Sequence, residues 1–452
     1  MNEQEWILSQ NKDKRVIEPL RAVYYERAQI VEAVQGRSMY YLFFYKEQYV
    51  TAVQAKKIKY NSFIGRAFRH GLVCEAPHPL IDHLNISGRF PASTYNSLLQ
   101  HLSGKYTNQE QAYILTFLES FLPKKKLLQE IKTLFYEVRR QGKMFHSYRI
   151  IRLLMDFAPR HRFVKELSHD LQFQKFEEIY DLPAEQLWEK DPLYAEKYLF
   201  HNRDESLLSM LPSETPLEIT AFRLLLRQEK PIVPGEYEFK LDSAFSPGER
   251  LRILEHALEF SPEDREVKQL LFSGYLAAQR LNDAFLLTGR QEMSLGIRER
   301  GMVEDVLLSE NPGLTSLSAW GSFLQEILKH DTKEEIPLLK ALIRNTLPHY
   351  SPGEIRDILD SRAEAEAEEL KEKLSFMEMW EEDLDRMEDL GALYYEFDWK
   401  EKALECFQYA SEMSPEKIGT VQWLAKIYKE LGKEKEAASY RELEKQIRKL
   451  SL

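Results

Sequence analysis

Cysteine is nearly absent from the 452 residues: only Cys74 and Cys406 occur, more than three hundred positions apart. That excludes a disulfide framework and fits a reducing compartment. Long apolar runs are missing as well. The longest near-continuous one, Met39 to Tyr45, falls far short of the roughly 18 residues a membrane span needs. The amino terminus lacks the basic-then-apolar pattern of a secretory signal, so the expectation is a cytoplasmic protein with no membrane contact. With 18 glycines and 19 prolines, collagen-like and linker-dominated architectures are excluded. There is no Gly-rich phosphate loop, nucleophile elbow, HExxH or paired-Cys motif, and the carboxylates single out no acid and base. The sequence therefore predicts no catalytic residue, no cofactor and no enzyme. What remains, 43% hydrophobic and 30% charged, is the composition of an ordinary water-soluble globular chain, long enough for about three domains.

Charge is divided along the chain. Up to Lys165 there are 26 Lys and Arg against 14 Asp and Glu, a net of +12, which leaves 36 against 59, or −23, for the remainder. Such a division means that the halves face one another, that each recruits a partner of opposite sign, or that the charges are solvated helix faces. From Ser361 to Leu390 twelve acidic residues stand against four basic ones among helix formers such as Ala363, Ala365, Ala367 and Leu370. This reads as an acidic helix, either a docking surface for a basic partner or a solvent-facing linker.

Residues Arg21 to Ala55, rich in Val, Ile, Tyr and Phe, predict a small antiparallel meander with turns at Gly36-Arg37-Ser38 and Lys46-Glu47. A short helix follows, carrying Lys56, Lys57, Lys59, Arg66, Arg69 and His70, and regular structure should break over Cys74 to Pro79. From Ser93 onward apolar residues recur at helical spacing, as in Leu98, Leu99 and Leu102, and breakers such as Pro123, Gly142, Pro159 and Pro183 divide the helices. The expected organisation is a small α+β segment over 1–88, a basic helical region over 89–228, helical hairpins over 229–360, and an acidic helix with further hairpins over 361–452.

One motif is sharp. In LGALYYEFDWKEKALECFQYASEMSP, Leu390-Gly391 is followed by Tyr394, Ala403, Phe407, Ala410 and Pro415. Small Gly391 and Ala403 let two helices cross closely, Tyr394 and Phe407 fill the space beside them, and Pro415 ends the second helix. The stretch resembles the tetratricopeptide repeat, a helix–turn–helix unit of 34 residues, with Met387 where the family has an early tryptophan. Thirty-four residues on, Leu424, Ala425, Tyr428 and Ala437 stand in the corresponding places, while Arg441 and Glu444 replace the Phe and Ala. A last repeat needs such a polar outer face. Upstream, Leu254, Ala257 and Pro262 resemble the back half of a unit, and Leu271, Tyr275 and Ala284 the front half of the next. The resemblance implies a mainly α protein, an α-solenoid of stacked helical hairpins, that binds a protein or peptide in a concave groove as a scaffold or adaptor. By the same resemblance, the outward positions are Asp385, Glu388, Ala392 and Tyr395 in one unit and Gln422, Lys426 and Lys429 in the next. They do not reproduce the Lys- and Asn-lined clamp with which some members hold a terminal carboxylate. A peptide-sensing regulator of the same helical-repeat type is a further alternative.

The other alternative is a nucleic-acid partner. Lys56, Lys57, Lys59, Arg66, Arg69, Arg139 and Arg140 lie in a basic region rich in Tyr and Phe, where cations would meet phosphates and rings would stack on bases. Within it, LFYEVRRQGKMFHSYRIIRLL is similar to the junction of pentatricopeptide repeats, which read single-stranded RNA. Against this, Tyr40, Tyr41, Phe43 and Phe44 alternate as sheet-core residues would. Finally, His70, Cys74, His78 and His83 offer metal-like donors, but their spacing matches no established zinc motif, and they read as ordinary loop or core residues, with no metal expected. The oligomeric state is left open.

Overall fold

The computed structural model describes residues 5–10, 13–55, 57–229, 244–290, 296–307, 316–327, 336–362 and 368–450. The chain divides into two compact units, Met1–Ser261 and Pro262–Leu452. With 24 α-helices among the described residues, it is mainly α.

The first unit is built on a seven-stranded sheet: β1 (Trp6–Gln10), β2 (Asp13–Tyr25), β3 (Ala28–Gln35), β4 (Ser38–Tyr45), β5 (Gln48–Gln54), β6 (Leu72–Glu75) and β7 (Arg89–Pro91). The order is β5-β4-β3-β2-β1-β7, with β6 also paired to β2. The expected meander is its central part. Lys46 and Glu47 both take positive φ, 52° and 60°, which makes the two-residue turn whose twist suits a hairpin, and Gly36 turns the preceding one at φ 57°. The sheet extends beyond the expected meander because β7 runs parallel to β1, and Tyr49 Oη donates to Pro91 O at 2.8 Å. The result is a nearly closed, barrel-like sheet, which continues to Pro91 rather than ending at 88.

β4 shows why its aromatic run is uninterrupted. Phe43 lies against Phe117 and Phe121, outside the sheet, whereas Phe44 turns inward onto Tyr49 and Phe90. Both faces are covered, so Tyr40, Tyr41, Phe43 and Phe44 are all buried.

The short helix expected after β5 is α1 (Phe63–His70), capped by Ser62, whose side chain accepts from Gly65 N. The predicted break over Cys74–Pro79 is only partial. Cys74 and Glu75 still belong to β6, and α2 (Pro79–Asp82) begins at once, with His78 as its N-cap.

A buried polar cluster joins the sheet's turns to the helices Pro192–His201 and Pro216–Glu229. Arg27 Nη1 lies 3.0 Å from Glu196 Oε1 and its Nε 2.8 Å from Glu218 Oε2. Glu47 accepts from the Glu218 backbone N–H at 2.9 Å. Three carboxyls thus surround one guanidinium. Burial pushes Glu218 up to about 8 and Glu47 up to about 6. The adjoining cavity is about 20 Å³, room for about one water, so the cluster fastens elements together and admits no substrate.

The second unit is helical throughout its described residues. Its acidic stretch is not one helix: Glu368–Trp380 ends before a 3₁₀ turn at Leu384–Arg386, and a new helix starts at Met387. Ala363, Ala365 and Ala367 lie outside the described residues. Leu370, Leu374 and Met377 are buried, so Glu368–Trp380 is packed into the unit and is not a free linker.

Candidate functional site

The site is built from two helical hairpins, Met387–Glu396 with Lys400–Met413 and Ile418–Glu430 with Glu434–Leu450. In the first, a Cβ on Gly391 would lie 3.1 Å from Phe407 Cε2 and 3.2 Å from Cys406 Cβ. Only glycine lets the helices come this close without displacement. Leu390, Tyr394, Ala403 and Phe407 are buried, as are Leu424, Ala425, Tyr428 and Ala437 in the second hairpin. Phe407 stacks on Trp423, centroids 5.2 Å apart, which locks one hairpin onto the next.

The two hairpins turn in the same way, and so does Arg265–Ala277 with Leu281–Arg290. Four residues after the tyrosine the chain takes positive φ, at Gln279 (57°), Asp398 (60°) and Gly432 (74°). The next amide donates back to the tyrosine carbonyl: Arg280 N to Tyr275 O at 2.8 Å, Trp399 N to Tyr394 O at 3.0 Å, Lys433 N to Tyr428 O at 2.9 Å. This is the left-handed closure of a helix end. Nine residues after each tyrosine stands a buried alanine, Ala284, Ala403 or Ala437. The residue after the left-handed position covers the tyrosine ring: Arg280 and Lys433 by cation–π contact, Trp399 edge-on. Farther upstream, Leu254 and Ala257 are buried in the helix Pro247–Phe260, which belongs to the first unit, so the expected upstream repeat is divided between units.

The seven outward positions fall into two groups. Glu388 pairs with Lys417 at the start of the second hairpin. Tyr395 donates to Glu430 at 2.8 Å, meets the Trp423 ring at 4.9 Å, and lies under Lys426 Nζ at 4.5 Å. Gln422 donates to Glu444 at 2.7 Å. These four bind neighbouring helices together, while Asp385 and Lys429 are exposed and Ala392 half-buried.

A groove of about 440 Å³ opens on another side of the first hairpin, and none of those seven residues lines it. Its floor is Met387, Leu390, Tyr394 and Cys406, with Leu384 and Tyr409 at the edge and Glu381, Glu405 and Glu412 around them. Leu384 is 50% exposed and Tyr409 56%. The single lining cation, Lys402, is engaged by Glu405 at 3.0 Å, so the rim presents net negative charge over an apolar floor. Tyr409 and Glu412 were not singled out in the sequence because they lie on the outer side of the second helix, where the repeat pattern has no signature.

Of the seven basic residues expected to meet nucleic acid, five make contacts within the fold. Lys56 lies outside the described residues. Lys57 is exposed. Lys59 Nζ donates to Glu119 O at 3.1 Å, Arg66 to Asn61 O at 2.9 Å, and Arg69 to Tyr60 O at 2.7 Å while covering the Tyr60 ring. Arg139 covers the Phe135 and Phe173 rings, and Arg140 donates to Tyr136 O at 3.3 Å. Arg69, Arg139 and Arg140 also stand in last turns, facing the negative ends of their helices.

Of the four metal-like donors, His70 is exposed at the end of α1 and His83 pairs with Glu249 at 3.0 Å. Cys74 and His78 are buried, close to a third donor, His256, in the helix Pro247–Phe260. No helix among the described residues is long and apolar enough to cross a membrane. No protein-family model matches the chain, and no curated protein matches it in sequence.

Proposed function

We propose that the second unit is a short α-solenoid of tetratricopeptide-like hairpins and that the protein is a scaffold or adaptor. The observation that supports this most directly is the corner shared by three hairpins, with its tyrosine, its left-handed residue and its buried alanine at fixed spacing. Shared corners allow units to stack on a common plan, and stacked units present grooves to extended or helical ligands.

The bound segment belongs to a protein partner and is amphipathic and basic. Apolar side chains would enter between Met387, Tyr394 and Tyr409, and lysines or arginines would meet Glu381 and Glu412. The outward residues Glu388, Tyr395, Gln422 and Lys426 hold the hairpins in register and so keep the groove's shape.

The test is affinity capture on the immobilised full chain, with and without nuclease, using the wild type beside Tyr409→Glu and Leu384→Glu. Both positions are half-exposed, so the fold tolerates the change. One dominant protein that survives nuclease and is lost from both variants supports the reading. A nucleic-acid eluate, or a partner held equally by the variants, removes it.

A further inference from the structure

We propose that Cys74 Sγ, His78 Nε2 and His256 Nδ1 form a zinc site that clasps β6 and α2 to the helix Pro247–Phe260. The three donor atoms lie within 4.8 Å of one another. The two nitrogens are 3.2 Å apart, close to the roughly 3.3 Å that separates two nitrogens each about 2.0–2.1 Å from a tetrahedral zinc. The sulfur needs about 3.6 Å to each nitrogen in such a site, so a shift of roughly 1 Å completes the triangle. A thiolate with two imidazoles selects zinc over magnesium or calcium, which prefer oxygen. The third donor could not be seen in the spacing, because His256 is 178 residues from His78.

The protons show what binding changes. His78 Nδ1 accepts the Leu80 N–H at 3.1 Å, so without metal its proton sits on Nε2 and is given to His256 Nδ1. Zinc takes the place of that proton, which moves to Nδ1. The cap bond to Leu80 is lost, a small penalty on a four-residue helix beside three metal–ligand bonds. His256 Nδ1 is already bare, and Cys74 gives up its S–H proton, so each zinc releases about one proton to solvent. Arg252, whose charge reaches His78, is exposed and screened. His256 is only half-buried and gives the ion a way in, with the fourth position left to water.

The test uses the full chain, stripped with a chelator and titrated with cobalt, then zinc. The expected result is one cobalt per chain with a thiolate-to-cobalt charge-transfer band, displaced by zinc, and about one proton released per ion, measured calorimetrically in two buffers. Cys74→Ser should abolish the band. His256→Gln, at a half-buried position that leaves the core intact, should weaken zinc at least about tenfold, while His83→Gln should not. A folded wild type without the band, a band that persists in Cys74→Ser, or unchanged affinity in His256→Gln would overturn the proposal.

Discussion

Substitution of Gly391 tests the close helix crossing on which the repeat packing depends. An alanine Cβ there meets Phe407 Cε2 at 3.1 Å and Cys406 Cβ at 3.2 Å. Phe407 cannot retreat, because it is fully buried and its ring stacks on Trp423. For alanine, overpacking of about 1 kcal/mol is offset by about 1 kcal/mol of helix propensity gained over glycine, and little net change is expected. Valine adds two methyl groups in the same space and should destabilise the hairpin by about 2–3 kcal/mol. Because the chain has two units, a local probe is better than a global melt. Cys406 is 5% exposed, and burial pushes its thiol up to about 11. Its alkylation above the slow rate that its small exposure in the groove floor allows therefore reports opening of this hairpin. A loss of 2–3 kcal/mol raises the open population about 30- to 150-fold, and Gly391→Val should label faster by that factor while Gly391→Ala stays within about fivefold of wild type. Wild-type labelling in Gly391→Val, or equal rates for the two variants, would refute the close crossing.

Three further outcomes are expected. The carboxyl of Glu218 is raised in the fold from the ordinary 4.5 to about 8, so the folded state binds the extra proton and this group contributes a downward slope to the first unit's stability as pH rises from about 4.5 through about 8. Glu218→Gln should flatten that slope in urea titrations across the range, and an unchanged slope would show that Glu218 is ionised throughout. Above about pH 8, where Glu218 is ionised, Arg27→Met leaves it and Glu196 buried without their cation and should cost about 3–5 kcal/mol; adding Glu218→Leu should restore part of it, and a strictly additive double variant would argue against coupling. Gln279→Gly should gain about 1 kcal/mol in denaturant unfolding, because Gln279 is held at φ 57°, and it must exceed Gln279→Ala for the corner geometry to stand.

The central meander was legible because its strands are dense in Val, Ile, Tyr and Phe between marked turns, and the signature core of the last hairpins because it recurs at thirty-four residues, from Tyr394 to Tyr428. β1, β6 and β7 were not, because strands of five, four and three residues carry too little pattern. Of the outward positions, Glu388, Tyr395, Gln422 and Lys426 do lie on a shared surface, but their polar groups are spent on one another and on Lys417, Glu430 and Glu444. Of the aromatics that suggested base stacking, Tyr40, Tyr41, Phe43 and Phe44 are sheet core and Tyr60 lies under Arg69, while Tyr136 is 46% exposed. The run of acidic residues concealed a break at Glu381–Asp383, since no Gly or Pro marks it.

The tyrosine-to-alanine spacing acts as a ruler laid across the bend. Helix lengths on either side are free to differ, 13 and 10 residues at one bend, 10 and 14 at the next, 13 and 17 at the last. Lengthening at a helix's far end is accordingly tolerated, whereas a single inserted residue between Tyr394 and Ala403 would rotate the second helix by about 100° and turn Phe407 away from its slot. Drift in this lineage should therefore accumulate at the distal tips and spare the bends.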